Sequence, residues 1–245
     1  MRVPVALVLV AVAAASVSFA PVALRARAAA NHPSDQARAS GADAVVPFTI
    51  HVPDAVLADL KQRLARARLP DEIERSGWSY GISLGYLKEL VVYWRDKFDW
   101  RAQERRLNQF EQFKTSIDGL NVHFIHRMSK ERNAFPLLIT HGWPGSFVEF
   151  TKIIGPLTDP VAHGGRPEDA FHVVIPSIPG YGFSDKPREP GYSSTKMAAI
   201  EARLMARLGY TRYGAQGGDW GAIIAAPLAM NDAAHVAGKI GRAHV

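Results

Sequence analysis

The sequence predicts an α/β fold built on a parallel sheet, and three features carry that prediction. From Phe135 onward, short apolar runs suited to buried strands alternate with amphipathic runs suited to helices. The strand-like runs at 136–140, 171–175 and 211–216 each lead into a loop rich in glycine or proline. The last of these loops turns at once into an apolar helical run over 222–230. Strands separated by helices form βαβ units, and such units build parallel sheets.

Length and composition set the outer limits. The 245 residues suffice for one large domain with a real core, and 47% hydrophobic against 21% charged residues is a globular balance. The absence of cysteine excludes disulfides, zinc–thiolate sites and cysteine nucleophiles. The formal net charge is +6, with basic residues scattered or gathered on helical stretches such as 61–68 and 101–106. A nucleic-acid binder would show a basic face interleaved with aromatic residues, or a recognisable module, and the sequence has neither. Nucleic acid is not an expected partner; the charge reads as solvated helix faces.

In chain order, Met1-Arg2 precedes a nearly unbroken run of Val, Ala and Leu over 3–17. Ser18-Phe19-Ala20 then places small residues where a signal peptidase cuts. Residues 1–30 are expected to be a signal peptide and pro-region, cut after Ala20 or near Ala30, and the protein to be exported. An uncleaved membrane anchor is the alternative, though the run is short for a span and rich in alanine. Membrane contact is expected only through this segment.

Residues 31–46 have no apolar period and read as a linker. Residues 47–52 alternate like a short strand. Pro53-Asp54 opens a helix with Val56, Leu57, Leu60 and Leu64 at helical spacing, ended by Leu69-Pro70. A second helix over 84–98 carries Leu87, Leu90, Val91 and Trp94 on one face, and a polar helix begins at Arg101. Strand-like runs at 112–117 and 121–127 are joined by Asp118-Gly119, a hairpin signal. The strand at 136–140 leads through His141-Gly142-Trp143-Pro144-Gly145-Ser146 into a helix over 147–157. The strand at 171–175 leads through a Gly/Pro-rich loop over 176–187 to an amphipathic helix over 194–208.

The candidate nucleophile sits in the last turn. Gly217-x-Asp219-x-Gly221 has the small-x-nucleophile-x-small form of a strand-to-helix nucleophile elbow, with Asp at the nucleophile position. A side chain on so sharp a turn crowds the residues two before and two after it, which must be glycine-sized. A carboxylate is ionised at neutral pH and needs no base to attack an electrophilic carbon and form an ester. Read alone, the segment is equally an ordinary turn, with Asp219 capping the helix that follows. In parallel sheets, however, ligands sit beyond the carboxyl ends of the strands. The loops at 141–146 and 177–187 and the elbow all leave such ends. There the backbone amides of Trp143 and Trp220 are placed to form an oxyanion hole beside Asp219.

Three stretches together carry a family resemblance: His141-Gly142-Trp143-Pro144-Gly145-Ser146, Gly180-Tyr181-Gly182-Phe183-Ser184-Asp185-Lys186-Pro187 and Gly217-Gly218-Asp219-Trp220-Gly221. They resemble the epoxide hydrolases of the α/β-hydrolase fold, most closely the microsomal and juvenile-hormone-type branch. Residues 48–70, and Tyr93-Trp94-Arg95 through Trp100-Arg101 to Phe110 and Ile117-Asp118-Gly119, resemble that branch's N-terminal region. On this reading 47–110 is the helical and strand extension typical of the family, and 111–238 is a partial hydrolase core. The resemblance implies a two-step reaction on a small hydrophobic epoxide. Asp219 would open the ring to an alkyl-enzyme ester, lid tyrosines would protonate the alkoxide, and a His paired with an acid would activate water to release a vicinal diol. It also implies the Trp143 and Trp220 amides as oxyanion hole, both residues as substrate contacts, and no metal or organic cofactor.

In that family the lid, acidic orienter and catalytic His follow the elbow helix, and only 231–245 follow it here. His235 and His244 do not stand in family-like positions and read as bystanders; Asp185 and Tyr181 belong to the upstream loop. Residues 239–245 match one reading frame of a common sequencing-adapter oligonucleotide. They are expected to be a non-native tail on a C-terminally truncated chain. Two alternatives stay open: a haloalkane dehalogenase, whose lid would carry halide-binding Trp or Asn, and a non-catalytic binding protein of the same fold. The N-terminal segment and the loop at 142–146 argue against the first, and the elbow acid against the second.

Overall fold

In the computed structural model, which describes residues 44–242, there are seven strands. They are β1 (Val46–Pro47), β2 (Gln112–Ile117), β3 (Leu120–Arg127), β4 (Phe135–Thr140), β5 (Phe171–Pro176), β6 (Tyr213–Gly218) and β7 (Val236–Arg242). The helices are α1 (Asp54–Ala65), α2 (Leu84–Asp96), α3 (Trp100–Leu107), α4 (Ile154–Thr158), α5 (Ser194–Arg207) and α6 (Trp220–Asn231). The expected signal peptide and pro-region, most of the linker, and His244 lie outside the described residues.

The strands form one sheet in the order β1-β2-β3-β5-β4-β6-β7. It is parallel from β5 through β4 and β6 to β7, and antiparallel from β1 to β5. The antiparallel part contains the expected hairpin. Asp118 and Gly119 both take positive φ, 52° and 74°, as a two-residue type I′ loop requires, and Ile117 pairs with Leu120.

Successive strand residues point to opposite faces, so a strand covered on both sides must be apolar throughout. Phe124, Leu138 and Val174 pack beneath α5 and α6 against Ala198, Ile200, Leu204, Met205, Ile224 and Leu228. Their neighbours Ile125, Ile139, Val173 and Ile175 face the other way, against Ile50, Phe147 and Ile154. Each such buried side chain contributes about 1.5–3 kcal/mol relative to exposure. A surface ion pair such as Arg203–Asp118, with its arginine side chain 51% exposed, is worth about 0–1 kcal/mol. The two apolar layers hold the sheet.

Two elements depart from expectation. Of the strand expected over 47–52, only Pro47 lies in a pairing strand. The chain beyond it bonds largely to side chains of α3 and the residue that follows it. Ile50 N–H donates to Asn108 Oδ1 at 2.8 Å, Asn108 Nδ2 donates back to Ile50 O at 2.9 Å, and Val52 N–H donates to Glu104 Oε1 at 2.6 Å. Polar side chains thus take the place of a ladder. The helix expected over 147–157 is broken into a 3₁₀ turn, Phe147–Phe150, and α4. Pro156 lacks an N–H and its ring clashes with the carbonyl four residues earlier, which a continuous helix cannot accommodate. Thr151 Oγ1 also turns back onto Val148 O at 2.9 Å.

The stripes of α1 and α2 lie where their spacing places them, yet neither helix has a fully buried residue. Leu57, Leu60, Leu64, Leu87 and Val91 are half-buried, while Val56, Leu90 and Trp94 are exposed. The two helices pack chiefly on each other. At the other end of the chain β7 continues through Arg242, so the segment read as a tail begins inside a strand.

Replacing Asn108 by Ala removes both bonds to Ile50 and leaves an N–H and a carbonyl unpaired. We expect a loss of about 1–3 kcal/mol, read as a lower urea midpoint. An unchanged midpoint would assign the segment's attachment to the Val52–Glu104 and Phe48–Gln112 bonds and to Phe48 and Ile50 packing, without Asn108.

Candidate active site

β4 lies between β5 and β6, so the chain leaves β4 towards one neighbour and returns to the other. The segment after β4 packs on one face of the sheet and α6 on the other, so the two connections part at the carboxyl ends of the strands, where this class of sheet binds ligands. Asp219 stands at that point. It links β6 to α6 with φ 52° and ψ −124°, a conformation that costs a non-glycine residue about 1–3 kcal/mol.

The neighbours that hold this strain are glycines where the spacing requires them. A Cβ on Gly217 would overlap the backbone of Gly221, and one on Gly221 would overlap the Thr140 carbonyl. Gly218 has nothing within 4 Å of its missing Cβ. The elbow therefore demands glycine two before and two after the acid, and not beside it.

A fourth glycine brings the β4 loop to the acid. A Cβ on Gly142 would lie 2.7 Å from both Cβ and Oδ1 of Asp219. With none there, Trp143 N–H donates to Asp219 Oδ1 at 2.8 Å. The loop then closes on itself. The Trp143–Pro144 peptide is cis, Gly145 N–H donates to Gly142 O at 3.1 Å, and Ser146 and Glu149 form a capping box on the next turn. Trp220 opens α6, where an amide has no carbonyl one turn earlier and the helix dipole favours negative charge. Both indoles are open to solvent, Trp143 at 62% and Trp220 at 48%.

Two buried histidines support these loops, a role that residue type alone did not reveal. His141 Nδ1–H donates to Gly142 O at 2.9 Å, and its Nε2 accepts Ile178 N–H at 3.1 Å. It therefore ties the loop after β4 to the loop after β5. Desolvation holds it below the usual imidazole range, and so neutral. His123 Nε2–H donates to Gln112 Oε1 at 3.0 Å, while Nδ1 accepts from Ser177 Oγ at 2.9 Å. Burial pushes it down to about 3. The strand pattern marks both positions as interior, which is the one sequence signal that could have identified them.

The remaining sequence candidates lie elsewhere. His235 Nδ1 meets Asp232 Oδ1 at 2.6 Å, and Asp232 also accepts from Tyr213 OH at 2.7 Å. Tyr213 begins β6, whereas Asp219 follows its far end, so His235 and the elbow are separated by the length of a strand. Asp185 accepts from Asn121 N–H and Nδ2 at 3.0 and 2.9 Å, and the Tyr181 ring meets the His141 ring at 5.5 Å. Among the described residues no cluster of three or more His, Asp or Glu side chains could hold a metal ion.

A parallel core with an acid elbow after β6 and an amide-bearing loop after β4 defines an α/β-hydrolase. A family model described as the alpha/beta hydrolase fold matches residues 136–240, and one described as the epoxide hydrolase N terminus matches residues 45–150. Epoxide hydrolase 1 of Sus scrofa is 44% identical over 210 residues, which are 84% of this chain and 46% of that protein. The crystal structure of juvenile hormone epoxide hydrolase from the silkworm Bombyx mori is similar with a TM-score of 0.73 and 36% identity, covering 81% of this chain and 53% of that one. An Aspergillus niger epoxide hydrolase structure gives 0.69 and 36%, covering 80% and 51%. Over residues 45–240 the chain is similar to the epoxide hydrolases, in the N-terminal segment and in the hydrolase core alike. It spans about half the length of these relatives.

The glycine pattern predicts an asymmetry. Gly221→Ala should cost about 1–3 kcal/mol or more by forcing backbones apart. Gly218→Ala should stay within about 0.5 kcal/mol. Equal thermal midpoints for the two variants would contradict the geometry. A second expectation follows from His123 and His126, pushed by burial down to about 3 and about 4. They bind protons only on unfolding, so the stability they contribute is complete above about pH 6.5 and is lost as pH falls towards those values. Urea midpoints should drop across that window, and less steeply in His126→Gln.

Proposed function

We propose that the chain carries the nucleophile of an epoxide hydrolase, with Asp219 opening an epoxide to an alkyl-enzyme ester. The bond from Trp143 N–H to Asp219 Oδ1 carries this reading. It holds one carboxylate oxygen, Oδ1, and supports a reading in which Oδ2 is the attacking atom. That oxygen bonds to a ring carbon, the ring C–O bond breaks, and its electron pair passes to the ring oxygen. The alkoxide takes its proton from an acid, the role that the family resemblance gives to lid tyrosines.

In the ester, Oδ1 is the carbonyl oxygen and already lies within hydrogen-bond distance of Trp143. When water adds to the ester carbon, negative charge falls on this oxygen, where the Trp143 and Trp220 amides would stabilise it. One such donor is worth about 2.7–4 kcal/mol in comparable sites. The water needs a base that His141 cannot supply, because both its ring nitrogens are engaged. The exposed indoles of Trp143 and Trp220 offer apolar walls to a small hydrophobic epoxide. Neither a metal nor an organic cofactor enters these steps. We further infer, from the apolar run over 3–17, export of the chain and a role in detoxifying or using environmental epoxides.

Intact-protein mass spectrometry after incubation with styrene oxide tests the chemistry. Wild type should gain one substrate mass on Asp219 or release diol, and Asp219→Asn should do neither. A folded wild-type chain that does neither would overturn the proposal.

A further inference from the structure

Behind the strand end that feeds the Trp143 loop lies a carboxyl group for which the reaction has no stated use. Glu201, on α5, is 4% exposed and accepts a hydrogen bond from Thr140 Oγ1 on Oε1 at 2.9 Å. Its other oxygen, Oε2, is buried without a partner. Thr140 is the last residue of β4 and pairs with Gly217 of β6. Its carbonyl bears on Gly221, and two residues later Gly142 bears on Asp219. Glu201 therefore holds the residue on which the elbow helix rests and from which the Trp143 loop departs.

We propose that Glu201 is a positioning residue for the chemistry at Asp219, its hydrogen bond with Thr140 fixing the strand end from which the Trp143 amide reaches the carboxylate. This rests on the reading of Asp219 as nucleophile. The role needs a neutral carboxyl, since an unpaired buried charge would draw in water or push the strand end away. Burial raises Glu201 to about 8, against the opposing pull of the Thr140 bond. The surrounding elements bring no counter-charge. β4 and α6 contain no ionisable side chain, and β6 contains only Tyr213, itself raised by burial and bonded to Asp232. His141, next to Thr140, is held neutral. On β2, Lys114 lies over the Phe48 ring. On α5 itself, Lys196 and Arg203 pair with Asp118, and Arg207 bonds Thr115 and Ser116.

The direction of the pH effect follows. The folded chain keeps a proton that the unfolded chain releases above the ordinary glutamate value of 4.5. The contribution of the neutral acid is complete below that value and is lost as pH rises through about 8.

The test is the rate of Asp219 adduct formation with styrene oxide at about pH 7 and about pH 9.5 in wild type, Glu201→Gln and Thr140→Val. Wild type should slow about tenfold at the higher pH, as expected for a displaced reacting geometry. Glu201→Gln, which cannot ionise, should keep the neutral rate and lose the fall. Thr140→Val, without the hydroxyl, should be slow at both values. A fall retained in Glu201→Gln, or a wild-type rate in Thr140→Val, would overturn the proposal.

Amide hydrogen exchange over residues 140–145, compared between variants at one pH, reads the same bond without any reaction. Faster exchange in Thr140→Val, and in wild type relative to Glu201→Gln at about pH 9.5, supports the positioning role, whereas equal exchange refutes it. Should the folded wild type form neither adduct nor diol while these exchange differences persist, the assignment of Asp219 fails and the hold of Glu201 on the loop stands.

Discussion

The structure depends on a contact between two backbones. The first turn of α6 lies so close to the end of β4 that no side chain fits between Gly221 and Thr140. This approach sets the elbow angle, forces Asp219 to positive φ and brings its carboxylate under the Trp143 amide. Backbone contacts of this kind cannot be adjusted by rotating a side chain, so the arrangement is set before any ligand arrives. That is the property electrostatic stabilisation of a developing charge requires, because dipoles already in place need no reorganisation during reaction.

Around this contact the protein uses neutral polar struts. His141, His123 and Glu201 are all buried, all hydrogen-bonded, and all shifted by desolvation towards their uncharged forms. An ionised strut here would compete with the Asp219 carboxylate for the local field, whereas a neutral one fixes geometry without adding charge. The charged groups lie further out, where Asp118, Arg203 and Lys196 join the hairpin to α5 at the surface.

Much of this was legible in the residues, for identifiable reasons. Gly217 and Gly221 could be read as obligatory because steric exclusion leaves one residue type, and the Asp118-Gly119 hairpin because positive φ narrows the choice as sharply. The alternation of strands and helices from Phe135 was legible because both sheet faces are covered. Less was legible where a side chain replaces a backbone partner. Phe48 to Val52 has the pattern of a strand, and only the distant Asn108 and Glu104 make it something else. The roles of His141 and Glu201 were hidden for a related reason. A buried polar residue declares its function through its partners, and those partners lie 37 and 61 residues away in sequence.

The exposure of α1 and α2 has a consequence for how the protein comes apart. These helices contain no fully buried residue, and the chain leading into α1 is fastened largely by bonds from Asn108 and Glu104. The sheet beneath α5 and α6 is secured by a continuous apolar layer. Regions so differently secured do not open at the same free energy. By that measure α1 and α2 belong to the low-stability end of the chain and the sheet that bears Asp219 to the high end.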